Sequence, residues 1–145
     1  MKFKEKCMQE LDEGGLFEDS GHRTRFKELL DCYGDYPFFS KGLCKCMYLS
    51  AWDEEHFAMM LGILTELTLG KEKDTMEMRL QGEQMAREYM AEEKIGGDTY
   101  VLQMSNAFLD NREFHMAEGA KIEPEYEYIL RRGLAAAERI ERAAT

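Results

Sequence analysis

The chain has 145 residues, 44% hydrophobic and 33% charged, a balance that describes one globular domain over 1–145 and excludes an unstructured chain. A net charge of −10 removes the basic footprint that supplies most nucleic-acid affinity, and it disfavours anionic membrane surfaces too. No apolar run approaches a membrane span, and Met1-Lys2-Phe3-Lys4-Glu5-Lys6 lacks the apolar stretch of a signal peptide, so a cytoplasmic protein with reduced cysteines is expected.

Apolar spacing then predicts helices along the whole chain. Phe3, Cys7 and Leu11 recur at i, i+4 and i+8, and Gly14-Gly15 stops that first helix. A second runs from about His22 to Cys32 after a Ser20-Gly21 start, with Phe26, Leu29 and Leu30 inward. Tyr33-Gly34-Asp35-Tyr36-Pro37 is turn chemistry, because Gly widens the backbone's choices and Pro presets φ. Ser40 caps a short third helix carrying Leu43, Cys44, Met47 and Tyr48.

The fourth segment, at about 51–69, is the most apolar. Ser50 is expected to cap it, with Asp53, Glu54 and Glu55 suiting its positive start and Gly70 ending it ahead of Lys71 and Lys73. Phe57 to Leu64 contains no polar side chain, and a helix apolar all round must be buried on every side, by its own chain or by another. This segment is therefore expected to be the centre of the bundle.

Asp74 opens a fifth helix with Met78, Met85 and Tyr89 in its stripe, ended by Gly96-Gly97. Asp98 caps a sixth with Val101, Met104 and Phe108 inward, and Asp110 to Glu123 forms the longest loop. Pro124 fits the first turn of a terminal helix whose inner face reads Ile129, Gly133, Ala137 and Ile140. Glu83–Arg87, Glu127–Arg131 and Glu138–Arg142 are i, i+4 pairs that mark outer faces. Valine occurs once and no alternating segment exists, so the fold class is all-α, a single-domain bundle of about six or seven helices.

Chemistry is sparse. Cys44-Lys45-Cys46 misses zinc-ligand spacing, since residues two apart on a helix point to nearly opposite sides; Cys44 belongs to the core stripe. Asp53 with His56, and His115 with Glu118, are acid–histidine pairs at i, i+3, the raw material of a di-metal bundle that recruits Glu66 or Glu83. Nucleophile motifs and phosphate loops are missing, so no catalytic residue and no cofactor is expected. The basic groups His22-Arg23-Thr24-Arg25 and Arg131-Arg132 are interleaved with acids and read as solvated helix faces.

Eleven methionines, Met59-Met60 among them, suit either a helical core or an adaptable contact surface. Tyr33, Tyr36, Phe38 and Phe39 cluster at a turn, as a plug on the core or an anchor for another protein. The leading expectation is association with protein, as a homodimer, with Tyr36, Phe38, Phe39, Met59 and Met60 as contact residues. Metal binding at Asp53, His56, His115 and Glu118 is the first alternative, and an acidic adaptor for a basic protein the second.

Overall fold

A computed structural model of the protein describes residues 2–37, 39–69, 96–114 and 122–145. Among these lie six helices and no strand: α1 (Phe3–Glu13), α2 (Ser20–Tyr33), α3 (Lys41–Ser50), α4 (Glu54–Leu69), α5 (Gly96–Leu109) and α6 (Pro124–Ala143). The protein is an all-helical bundle, and no helix among the described residues is long and apolar enough to cross a membrane. The helix expected from Asp74, with its Met78, Met85 and Tyr89 stripe, and the stop at Gly70 lie outside the described residues.

Local chemistry sets most helix ends. α1 stops where Gly14 caps it, and Gly15 follows with φ of 61°, a conformation that side chains resist. α2 begins at Ser20, two residues before the expected start, because the Asp19 side chain accepts from the His22 amide at 2.8 Å. The Ser40 hydroxyl accepts from the Leu43 amide and starts α3, and Pro124 occupies the first turn of α6. α5 ends at Leu109; Asn111 follows at φ of 56°, and the Arg112 amide reaches back to the Ala107 carbonyl.

Two expected ends fall elsewhere. α3 runs through Ser50, whose buried hydroxyl donates back to the Met47 carbonyl at 3.1 Å instead of capping the next helix. The cap is Asp53: its Oδ1 accepts from the His56 amide at 2.8 Å, after a three-residue joint, Ala51–Asp53. Gly96 and Gly97 are the first two residues of α5, and Asp98, expected as its cap, follows them inside the first turn.

Among the described helices, the one enclosed by the others is α3. Every residue from Leu43 to Ser50 is buried, and α2, α4, α5 and α6 all pack on it. Even Lys45 is buried, its ammonium held 2.7 Å from Glu141 on α6 and 5.5 Å from the centre of the Phe108 ring. Lys41 binds the same carboxylate at 3.0 Å. α6 lies against α1, α3 and α5, presenting Tyr126, Leu130, Gly133, Ala137 and Ile140. Gly133 lets the helices approach there: a Cβ would stand 2.7 Å from the Met104 Cε and 3.0 Å from a Leu49 methyl, so those side-chain ends would have to shift. Ile129, expected on this inner face, is only half-buried, and Leu130 takes the central place.

Candidate interaction surface

α4 is sided despite its uniform composition. Met60 and Leu64, one turn apart, face the core at 9% and 0% exposure. Phe57, Met59 and Leu61 are half-buried against it, while Ala58, Gly62 and Thr65 are exposed. Among the described helices, α4 meets only α2 and α3. Its outward stripe is Glu55, Ala58, Gly62 and Thr65, small and uncharged beyond the first turn, with the Thr65 hydroxyl bonded to the Leu61 carbonyl at 2.7 Å. A Cβ built on Gly62 meets none of the described residues within 4 Å. Nothing described in this chain uses the small size of that glycine.

The aromatic turn divides in the same way. Phe39 packs edge-on against Phe3, ring centres 5.9 Å apart, and helps close the end of the core. Tyr36 is 43% exposed and lies 6.0 Å from the half-buried Tyr33 ring. Phe38 lies outside the described residues. Beside this turn a shallow depression of about 490 Å³ is lined by Phe3, Lys6, Phe39, Ser40 and Lys41.

Of the four acid–histidine residues, the structure brings together Asp53 and His56. The His56 Nδ1 lies 2.8 Å from both carboxylate oxygens, so the ring donates there. Burial alone would raise the Asp53 carboxyl; the bonds and charge of His56, with the charge of Arg25, outweigh it and hold the group below its usual range. Both residues serve the first turn of α4. His115 and Glu118, and the recruitable Glu83, lie outside the described residues. Among the described residues no group of three or more histidine, cysteine or acidic side chains is arranged to hold a metal ion.

The cysteines behave as their spacing implies. Cys44 points to Cys7 of α1, sulfurs 3.8 Å apart and both buried, whereas Cys46 points to the Ser105 carbonyl of α5 at 3.4 Å. Burial, then the neighbouring Cys7 thiol, pushes the Cys44 thiol well up, so it stays protonated.

The polar centre of the molecule is one that the charge pattern conceals. His22 and Arg25 do not belong to a solvated face. His22 has no exposed surface; its Nδ1 accepts from the Glu18 amide at 3.1 Å and its Nε2 donates to the Tyr48 carbonyl at 2.9 Å. Arg25, one turn on, donates to the Ala51 and Trp52 carbonyls at 2.8 and 3.0 Å. Together they cap the end of α3 and the joint that follows it. Phe17, Tyr48 and Trp52 enclose the imidazole, with ring centres 4.7 to 5.4 Å away. Arg132 of α6 binds Glu18 and the Gly15 carbonyl, and Tyr128 also donates to Glu18. The signal available in the sequence is that His22 shares the stripe of Phe26, Leu29 and Leu30, at i, i+4, i+7 and i+8.

Compared with known protein families, with curated proteins and with solved structures, the chain matches none.

Proposed function

We propose that this is a small helical protein that works by association, as a homodimer, through the outward stripe of α4. The observation that carries the reading is Gly62: an exposed glycine in mid-helix, bordered by Ala58 and half-buried Met59 and Leu61, with no described residue within 4 Å of where a side chain would stand. Glycine there costs about 1 kcal/mol of helix stability relative to alanine. Close approach by a second helix is a use that offsets that cost, and a two-fold axis beside Gly62 supplies one from an identical chain. Met59 and Leu61 would border the contact, and the exposed Tyr36 is a secondary anchor. Met60 contributes to the core of its own subunit.

A reducing, cytoplasmic setting accords with this reading. No Cα of α1 lies within 8 Å of a Cα of α3, so Cys7 and Cys44 sit beyond the reach of about 4.4–6.8 Å that a disulfide spans, although their sulfurs touch.

The test is solution mass by light scattering during size exclusion, for the native chain and for Ala58→Glu and Gly62→Glu. Both positions are exposed within the subunit, so the variants keep their helical circular dichroism. The expected result is a native dimer and monomeric variants. A monomeric native chain at high micromolar concentration, or folded variants that remain dimeric, overturns the proposal.

A further inference from the structure

We propose that His22 is a pH-operated latch on the joint between α3 and α4: neutral, it fastens the end of α3 and Trp52, and on protonation it lets them go. Hydrogen-bond bookkeeping at a sealed site carries the inference. The imidazole has two ring nitrogens and both are committed, Nε2–H to the Tyr48 carbonyl and Nδ1 to the Glu18 amide. The second bond requires a bare nitrogen. A proton from solvent can add only at Nδ1, where it would face the Glu18 N–H across 3.1 Å, donor against donor. The ring must then leave that position, and it cannot move alone. Tyr48 and Trp52 pack on it, and the Tyr48 carbonyl it holds belongs to the last turn of α3.

Among the described residues, the surrounding charges offer the imidazolium no vacant partner. From the chain before α2, Glu18 is engaged by Arg132 and Tyr128 of α6. On α2 itself Asp19 is bound to the His22 amide, and Arg25 brings a positive charge to the same joint. On α3 the Tyr48 phenol is pushed up by burial and stays protonated while it donates to the Leu16 carbonyl. At the start of α4, Asp53 is held by His56. Burial lowers the His22 pKa most strongly and the Arg25 charge lowers it further; the Tyr48 carbonyl and the charges of Glu18 and Asp19 raise it, and the net shift is downward from 6.5. Release therefore follows acidification below the ordinary histidine range.

The chain carries its own reporter, because its one tryptophan, Trp52, lies with its ring centre 5.1 Å from that of His22. Trp52 emission and far-ultraviolet circular dichroism would be followed on the full chain from pH 7.5 to 4.5, for native protein, His22→Gln and His56→Gln. The expected result is an emission transition with its midpoint below pH 6.5 in native and His56→Gln protein, while helicity holds, and loss of that transition in His22→Gln. A transition retained in His22→Gln, no transition in native protein, or emission and helicity collapsing together overturns the latch. If His22→Gln does not fold, ¹⁵N shifts of the native His22 ring decide. Protonation of Nδ1 in step with Trp52 emission supports the proposal, and an Nδ1 still unprotonated after the transition overturns it.

Discussion

α3 and α4 are neighbours in the chain, separated by three residues, and they resolve burial in opposite ways. α3 carries Lys45 and Ser50 and is enclosed along nearly its whole length. α4 has no polar side chain from Phe57 to Leu64, yet Ala58 and Gly62 are exposed. Their glycine environments state the contrast most sharply. A Cβ on Gly42, in the first turn of α3, would stand 2.2 Å from the Phe108 carbonyl oxygen of α5, whereas one on Gly62 would meet no described residue within 4 Å. Apolar composition sets how much surface seeks cover, and contact with other elements sets how much receives it. Lys45 is tolerated inside because Glu141 and the Phe108 face receive its charge.

The largest expected effect comes from matched methionine truncations. Met47→Ala, at a fully buried position of α3, should cost about 2–5 kcal/mol in urea unfolding, against less than about 1 kcal/mol for Met59→Ala at the half-buried edge of α4. Equal losses would mean that α4 is enclosed as thoroughly as α3.

Next is one substitution with opposite signs at two sites. Gly42→Ala forces a methyl against backbone and should destabilise by about 1–3 kcal/mol. Gly62→Ala should stabilise the dilute monomer by about 0.5–1 kcal/mol, by helix propensity alone. Measuring its dimer dissociation constant sharpens the comparison. A stabler monomer with weaker self-association would identify Gly62 as a point of contact.

The smallest effect tests how α3 keeps its lysine. Bonds from Lys45 and then Lys41 hold the Glu141 carboxyl below 4.5, with burial opposing them. Because the folded pKa is depressed, this stabilisation is fully present above pH 4.5 and is lost as pH falls through the folded value. Glu141 is 40% exposed, so Glu141→Gln should cost no more than about 1 kcal/mol at pH 7 and should flatten the acid limb of a stability–pH profile. An unchanged acid limb would show that the pair contributes nothing to α3.

How far the sequence could be read varies from element to element. The stripe of Phe3, Cys7 and Leu11, the Ser40 cap and Pro124 place α1, α3 and α6 correctly, because each signal acts within one turn of its own residue. Reading Ile129 instead of Leu130 as the inner residue of α6 misses by one position, since an inner face about a third of the helix wide admits either. Ser50 misleads because serine satisfies a backbone group equally well from either end of a helix. The candidate contact residues Tyr36, Phe39, Met59 and Met60 are all apolar in sequence, and their division into exposed, half-buried and buried follows from what packs beside each.

What the sequence by itself determined is the helical class, most helix limits and the opposed directions of Cys44 and Cys46. These rest on local capping and on the period of the helix. Only the tertiary structure decided that, among the described residues, α3 is the most enclosed helix, that Ala58 and Gly62 of α4 are exposed, and that His22 and Arg25 hold the joint between the two helices. Those outcomes depend on partners remote in the chain, Gly42 with Phe108, His22 with Tyr48, Lys45 with Glu141, and burial is a relation between such elements that no single segment encodes.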